Sequence, residues 1–471
     1  MKEEAERGNA YAMHDMGKIY AQGIFVELDQ EKAGEWYSRA LAAMLLSEER
    51  KGNTYLEYRI GKMYQYGLGT DEDLAEAAKW FSSASEKEHK NSLYSLGMLY
   101  LHGKGAEMDE RKACQLFLRS HKQGNPYASY ELGKMYEAGK GTEKNARIAE
   151  NFYHSAFLGF IKLEKKSRDD TLWYRIGSMY LHGIGTEVNE AQAEKYLLQS
   201  AEYGNPHAAY QLAELYIRQE TERLQREPYS TPAYNKIRRA LAWLIKAANQ
   251  DNPFADYALG KLYGEGVLTA REMDKAFFHL HRATEAGNVY AQYQLGVWYL
   301  TEEYKDIFKA VYYLTLAADQ KNELAAYRLG KLYLAGKDMP KNVALALQYL
   351  EASAHAGNQY AQYALGKLYL IGKDVEQDKE KAYEYFVLAA RQGNVYAVYL
   401  LEHWNDMPHP DLFLMASRFM HHLERIIEED ISGRKRGGSR AGIDRKLARR
   451  MKEKKIAQGH AEDDREMVQT Q

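Results

Sequence analysis

The stretch GNQYAQYALGKLYLIGKD, Gly357 to Asp374, decides how this chain reads. Within it Ala361, Leu365, Leu368 and Tyr369 fall at i, i+4, i+7 and i+8, the spacing of one helix face. Gly372 in GKD then breaks the pattern, because a helix C-terminus and a tight turn need the positive φ that glycine adopts without strain. Ala382, Tyr385, Phe386, Ala389 and Ala390 make a second stripe, which Gly393 stops. The stretch therefore predicts a helix, a turn and a second helix. Nearly the same words return upstream: GNVYAQYQLGVWYL from Gly287, GNPYASYELGKMYEAGKG from Gly124 and GNTYLEYRIGKMYQYGLG from Gly52.

The small residue of the LG pair serves as a ruler: Gly17, Gly61, Gly97, Gly133, Gly177, Ala213, Gly260, Gly296, Gly330 and Gly366. Subtracting successive positions gives 44, 36, 36, 44, 36, 47, 36, 34 and 36, a base period of 36 with three insertions. A partial eleventh unit begins at Gly393. Neither helix of a pair can bury its stripe alone, so neighbouring units must stack into an all-α solenoid. Gly366 and Ala382 are the expected points of close helix approach.

The pattern A-x-x-x-L-G-x-[LM]-Y, then G-x-G, K-A-x-x-[WY]-[FL] and A-A-x-x-G-N resembles the Sel1-like repeat family, relatives of the tetratricopeptide repeats with a longer period. Ala128, Leu132, Gly133, Met135 and Tyr136 match, as do Ala361, Leu365, Gly366, Leu368 and Tyr369, and the match runs over residues 5 to 404. The resemblance implies an all-α, right-handed α-α superhelix of ten to eleven helix-turn-helix repeats that works as a non-catalytic protein-protein interaction scaffold. Two units depart from the pattern. The turn near Arg218 has no glycine and precedes a polar insertion with Pro228 and Pro232, and the unit at Thr301 also lacks the turn glycine. Kinks or altered curvature are expected at both.

Three positions before the ruler stands a tyrosine in nearly every unit: Tyr58, Tyr94, Tyr130, Tyr174, Tyr210, Tyr257, Tyr293, Tyr327 and Tyr363, continued by Tyr399 and broken by His14. One residue after the ruler stands Lys18, Lys62, Lys134, Lys261, Lys331 or Lys367, at i+4 from its tyrosine and so on the same face. By analogy with tetratricopeptide repeats, Tyr58, Tyr94, Tyr130, Tyr257, Tyr293, Tyr327 and Tyr363 with Lys62, Lys134, Lys261, Lys331 and Lys367 line a concave groove. Rings offer contact area at low entropy cost, and ammonium groups favour carboxylates or phosphates, so a peptide or helix of acidic character is the expected partner. The competing reading has each tyrosine packing on its neighbour and each lysine solvating the wall.

Of 471 residues, 45% are hydrophobic and 28% charged, which excludes a disordered chain, and the 8 prolines favour helix. A single cysteine, Cys114, excludes an intrachain disulfide and a cysteine-based zinc site. Neither a membrane-length apolar run nor a signal peptide is visible, which points to the cytoplasm. Motifs suggestive of chemistry dissolve on inspection. His279 and His281 in FHLHRA would share a face on a strand but diverge on a helix. EAGKGT, Glu137 to Thr142, has the wrong spacing for a phosphate loop and ends a helix. His421 and His422 have no further ligands nearby, and Cys114 sits in an apolar stripe. No catalytic residue, cofactor, metal or small-molecule substrate is expected.

The ends differ from the repeat. EEAERGN looks like the last turn of a second helix, which suggests a chain that starts inside a repeat. After a solenoid over 1–409, residues 410–430 place Leu412, Met415, Phe419, Leu423 and Ile426 at helical spacing, as a capping helix would. Residues 431–471 form a tail. From Arg434 to Lys455 eleven basic residues, Arg434, Lys435, Arg436, Arg440, Arg445, Lys446, Arg449, Arg450, Lys452, Lys454 and Lys455, stand against Asp444 and Glu453, a balance of +9; the whole chain is −2, so the remainder is −11. A basic, apolar-poor tail is expected to be disordered or marginally helical and to contact DNA or an acidic partner, possible occupants including the protein's own acidic body. IDRKLARRMKEKKIAQGHAEDD also resembles the C-terminal ends of Mob-type relaxases of Gram-positive mobile elements. That resemblance implies an alternative, an accessory module for DNA transfer, with no catalytic residue carried over.

Overall fold

The computed structural model describes residues 1–404, apart from residues 24, 52, 166–167, 228–232 and 403 and the side chains of residues 48–51. Within these, 22 helices and no strand occur. A short α1 (Lys2–Glu6) precedes α2 (Ala10–Gln22), α3 (Gln30–Lys51), α4 (Thr54–Tyr66), α5 (Leu74–Glu86), α6 (Lys90–His102) and α7 (Glu110–Lys122). Then come α8 (Pro126–Ala138), α9 (Ala146–Glu164), α10 (Asp170–His182), α11 (Glu190–Glu202), α12 (Pro206–Arg226) and α13 (Tyr234–Ala248). The series ends with α14 (Pro253–Glu265), α15 (Met273–Glu285), α16 (Val289–Trp298), α17 (Ile307–Asp319), α18 (Glu323–Ala335), α19 (Val343–His355), α20 (Gln359–Ile371), α21 (Lys379–Arg391) and α22 (Val395–Glu402). The expected all-α repeat fold is present. The chain divides into two compact units, Met1–Leu215 and a second beginning at Tyr216. The expected capping helix and basic tail lie outside the described residues.

Each helix is delimited by its own sequence. In α20 the Asn358 side chain accepts hydrogen bonds from the Tyr360 and Ala361 amides at 3.0 and 2.9 Å, and Gly372 closes the helix at φ 65°. Side-chain capping of this kind is worth about 1 kcal/mol. The GN pair thus has two jobs: Gly357 turns the chain at φ 97° and Asn358 caps the next helix. Asp378 caps α21 through the Lys381 amide at 2.9 Å.

The ruler glycine exists for the second helix. A Cβ on Gly366 would stand 2.7 Å from the Phe386 ring, and one on Gly61 2.6 Å from Phe81. Across the nine ruler glycines the same clash falls between 2.5 and 2.9 Å, always on a ring or leucine that stands four residues after an alanine of the second helix, as Phe386 follows Ala382. Close approach is therefore between Gly366 and Phe386, with the fully buried Ala382 one turn away. Phe81, Phe117, Phe160 and Phe386 are among the largest fully buried side chains, each worth about 1.5–3 kcal/mol of burial.

The turns differ between the two units. In the first, the second glycine of G-x-G lets the turn press on the second helix of the preceding repeat: any Cβ on Gly105 or Gly141 would collide with the backbone of Leu74 or Glu110. In the second unit Asp338 and Asp374 occupy that position and accept ion pairs from Lys305 at 2.9 Å and Lys341 at 2.5 Å. Arg271 reaches Glu303 at 2.8 Å in the same register.

The two irregular units are built in different ways. No turn exists at Arg218: without a glycine to stop it, α12 runs on to Arg226. Glu220 then ties the far side of the insertion, accepting from the Ala233 amide at 2.7 Å and from Arg223 at 2.6 Å. In the other irregular unit α16 ends early at Trp298, and Thr301 takes over the capping role by donating its hydroxyl to the Trp298 carbonyl at 2.6 Å.

Candidate interaction surface

The first helices carry the tyrosine ladder. Tyr58, Tyr94, Tyr130, Tyr174, Tyr257, Tyr293, Tyr327 and Tyr363 are all half-buried. Their rings touch the next repeat. Tyr94 meets Tyr127 at 6.0 Å, Tyr174 meets His207 at 5.9 Å, Tyr257 meets Tyr290 at 5.9 Å, Tyr327 meets Tyr360 at 6.1 Å and Tyr363 meets Tyr396 at 5.7 Å. Every one of these pairs is 33 residues apart. Tyr58 instead meets His89 at 5.0 Å, and Tyr130 meets Phe160 at 6.4 Å. Burial pushes the Tyr94 hydroxyl up to about 12 and raises those of Tyr58 and Tyr174.

The partner rings form a second column, two residues after each capping asparagine. Several of this column are exposed, Tyr55 46%, Phe254 45%, Tyr290 53% and Tyr360 46%, whereas Tyr127 is half-buried and Tyr396 buried. The sequence reading does not single them out, although the fourth residue of GNQY, GNVY and GNTY is the signal. A third column accounts for more of the 39 tyrosines. The tyrosine of L-G-x-[LM]-Y stacks on a ring of its own second helix, as in Tyr333 on Tyr349 and Tyr369 on Tyr385, with planes 4° and 3° apart. The lysine of K-A covers it from above: Lys112 over Tyr100 at 4.1 Å, Lys381 over Tyr369 at 5.2 Å.

The ladder lysines have unequal surroundings. Lys134, Lys331 and Lys367 lean over their own ladder rings, Tyr130, Tyr327 and Tyr363, at 6.0, 5.4 and 5.0 Å. Lys62 turns instead to Gln65 at 2.8 Å and Tyr66 at 3.0 Å. Lys134 is neutralised by Glu131 at 2.8 Å, and Lys261 lies 3.8 Å from Glu265. Burial first and the Arg328 charge second hold Lys331 below the usual lysine range. Arg328 reaches back one repeat to the Tyr293 hydroxyl, to which its Nε donates at 3.0 Å.

Beneath the ladder, polar residues lock first helix to second. Asp256, 3% exposed, accepts from His279 at 2.8 Å with Arg282 at 3.6 Å. Gln292 pairs with Gln320 at 2.9 Å and Gln362 with Gln392 at 2.8 Å. His281 turns the other way, to the Tyr313 hydroxyl at 3.2 Å, so the two histidines of FHLHRA diverge. Cys114 is buried, and burial raises its thiol. Among the described residues no group of three or more potential metal ligands converges, and no helix is long and apolar enough to cross a membrane.

A sequence model of the Sel1 repeat matches ten segments: residues 10–43, 55–89, 91–125, 126–158, 174–205, 229–252, 253–288, 289–322, 324–358 and 359–394. The chain belongs to the Sel1 repeat family. Residues after 394, including the basic tail, lie beyond the matched segments. Two solved Sel1-type structures are similar. The protective antigen c5321 of uropathogenic Escherichia coli, described as displaying an SLR fold, shares 26% identity over 89% of this chain and 92% of its own, with a TM-score of 0.44. A Sel1 repeat protein from Oxalobacter formigenes shares 25% over 69% of this chain and 90% of its own, with a TM-score of 0.46. Sel1 repeat proteins are in general scaffolds for protein partners, a family whose members are mostly non-catalytic.

Proposed function

We propose that this Sel1 repeat protein docks segments of acidic character on the ladder face of its first helices, and that its basic tail engages DNA or a further acidic partner. The observation that carries the first half is a column of rings with cations over its inner members: Tyr290 and Tyr360 are about half exposed, Tyr360 meets Tyr327, and Lys331 and Lys367 lie over the Tyr327 and Tyr363 rings. Aromatic rings supply contact area with little rotamer entropy to lose, and cations select carboxylates. The second half rests on charge segregation, +9 within residues 434–455 against −11 elsewhere.

A photo-crosslinking amino acid at Tyr290 or Tyr360 tests the docking face. It is expected to capture protein from cells of the native host, whereas the same group at Phe278, exposed on a second helix, does not. Lys331→Glu with Lys367→Glu is expected to weaken that capture. Equal crosslinking from both faces, or capture indifferent to the charge reversal, removes the proposal.

A further inference from the structure

The positions one and four residues after the ladder tyrosine are an i, i+3 pair on one side of the helix. Their content varies from repeat to repeat, and the variation is informative. In α8 they are Glu131 and Lys134, joined at 2.8 Å. In α14 and α20 the first of them is an alanine, Ala258 or Ala364. In α18 they are Arg328 and Lys331, two like charges one turn apart; both side chains reach solvent, although the protein atoms around the Lys331 ammonium, the Tyr327 ring among them, strip part of its water. Among the described residues neither makes an ion pair. Like charges at this spacing cost a helix a few tenths of a kcal/mol, roughly 0.2–0.5. That cost persists without compensation inside the fold, whereas α8 meets the same geometry with a salt bridge and α14 and α20 with an alanine. Arg59 and Lys62 in α4 repeat the like-charged arrangement, but there Gln65 and Tyr66 occupy the Lys62 ammonium.

The surroundings of Arg328 and Lys331 define what would fit. Arg328 is oriented by its Nε–H bond to the Tyr293 hydroxyl, 3.0 Å away, which leaves the guanidinium's other N–H groups available to an incoming acceptor. Lys331 rests over the Tyr327 ring. At the N-terminal end of the same face stand Leu324, 40% exposed, and the rings of Tyr290 and Tyr360 from the flanking repeats. A fixed guanidinium and an ammonium one turn apart suit a carboxylate, which the guanidinium holds through two parallel bonds. The rings and Leu324 suit a bulky apolar neighbour of that carboxylate.

We infer that Arg328 and Lys331 form the anion-recognition centre of the second unit, and that its ligand is an extended peptide in which a glutamate or aspartate adjoins a bulky apolar residue. The carboxylate sits between the two cations and the apolar side chain lies on Leu324 and Tyr360. This deepens the docking proposal and rests on it. Arrival of the anion relieves the repulsion between the two cations, so the centre gains more from an acidic ligand than a repeat whose lysine is already paired.

The test uses the full chain and a fluorescein-labelled dodecamer of alternating Glu-Leu-Glu-Phe, read by anisotropy. Arg328→Glu with Lys331→Glu is expected to weaken binding at least about tenfold, in line with breaking a charged contact pair. Lys195→Glu with Lys379→Glu, both exposed on second helices, is expected to leave it within about twofold, and the Gln-Leu-Gln-Phe peptide is expected to bind about as poorly as the Arg328/Lys331 variant. If the Arg328/Lys331 variant binds as wild type does while Lys62→Glu with Lys134→Glu loses binding, this centre is wrong while docking on the ladder face stands. If no variant or wild type binds the acidic peptide, both fall. Preference for a single-stranded oligonucleotide of equal charge overturns the peptide as ligand.

Discussion

A ruler glycine is defined by what it faces, and glycines in this chain face very different things. Gly133 stands against the Tyr153 ring, where a Cβ would fall 2.5 Å from it. Tyr153 cannot yield, since its hydroxyl donates to Glu137 at 2.7 Å and its body is buried. Gly34, inside α3, has nothing within 4 Å of its missing Cβ. The same substitution should therefore act with opposite sign. Gly133→Ala is expected to destabilise by about 1–3 kcal/mol through overpacking. Gly34→Ala is expected to stabilise by about 0.5–1 kcal/mol, because alanine loses less backbone entropy in a helix. Urea melts followed by circular dichroism check both, and equal responses would show that ring packing does not select the ruler glycine.

At the level of the helix pair, one sequence signal, the break after the first helix, hides two mechanisms. The turns of the first unit touch the preceding helix through backbone, with glycine the only residue that fits. Those of the second unit meet the preceding turn through side chains that end in ion pairs. Backbone contact tolerates no Cβ, whereas an exposed ion pair is worth at most about 1 kcal/mol and weakens in salt. Gly141→Ala, which adds a clash to a residue at φ 65°, is expected to cost about 2 kcal/mol or more. Asp338→Ala is expected to cost under about 1 kcal/mol, and that small loss should vanish in high salt. Comparison of chemical melts at low and high ionic strength decides it; a salt-independent loss at Asp338 would mean the ion pair is not the joint. The same level shows how an absent glycine is answered. At Arg218 the helix simply continues, because nothing in ETERLQ stops it, while at Thr301 a hydroxyl substitutes for the turn.

For the molecule as a whole, charge is distributed along the chain more unevenly than apolar residues are. Residues 434–455 carry +9 and the remainder −11, of which residues 1–404 hold only −4 and the two segments that flank the basic run hold −7. Neutralising phosphates with several basic residues gives binding that falls steeply with salt. Removal of residues 432–471 is expected to abolish salt-sensitive binding to a DNA probe in a gel-shift or anisotropy titration. Undiminished binding after the deletion would assign any DNA contact to the repeats. The repeat count, the helix pairs and the family were legible in the chain itself, since periodic stripes, glycine stops and capping asparagines are local codes that act within a few residues. Tyr58 through Tyr363 and their lysines were legible as a face for the same reason: i and i+4 meet on any helix. What local spacing cannot supply is the neighbour. Only the stacking of one repeat on the next lays Tyr327 against Tyr360 and brings Arg328 to the Tyr293 hydroxyl, and only the packing of first helix on second sets Gly366 under a ring 20 residues away. Those contacts join residues far apart in sequence, and their energies depend on distances that only the packed helices set.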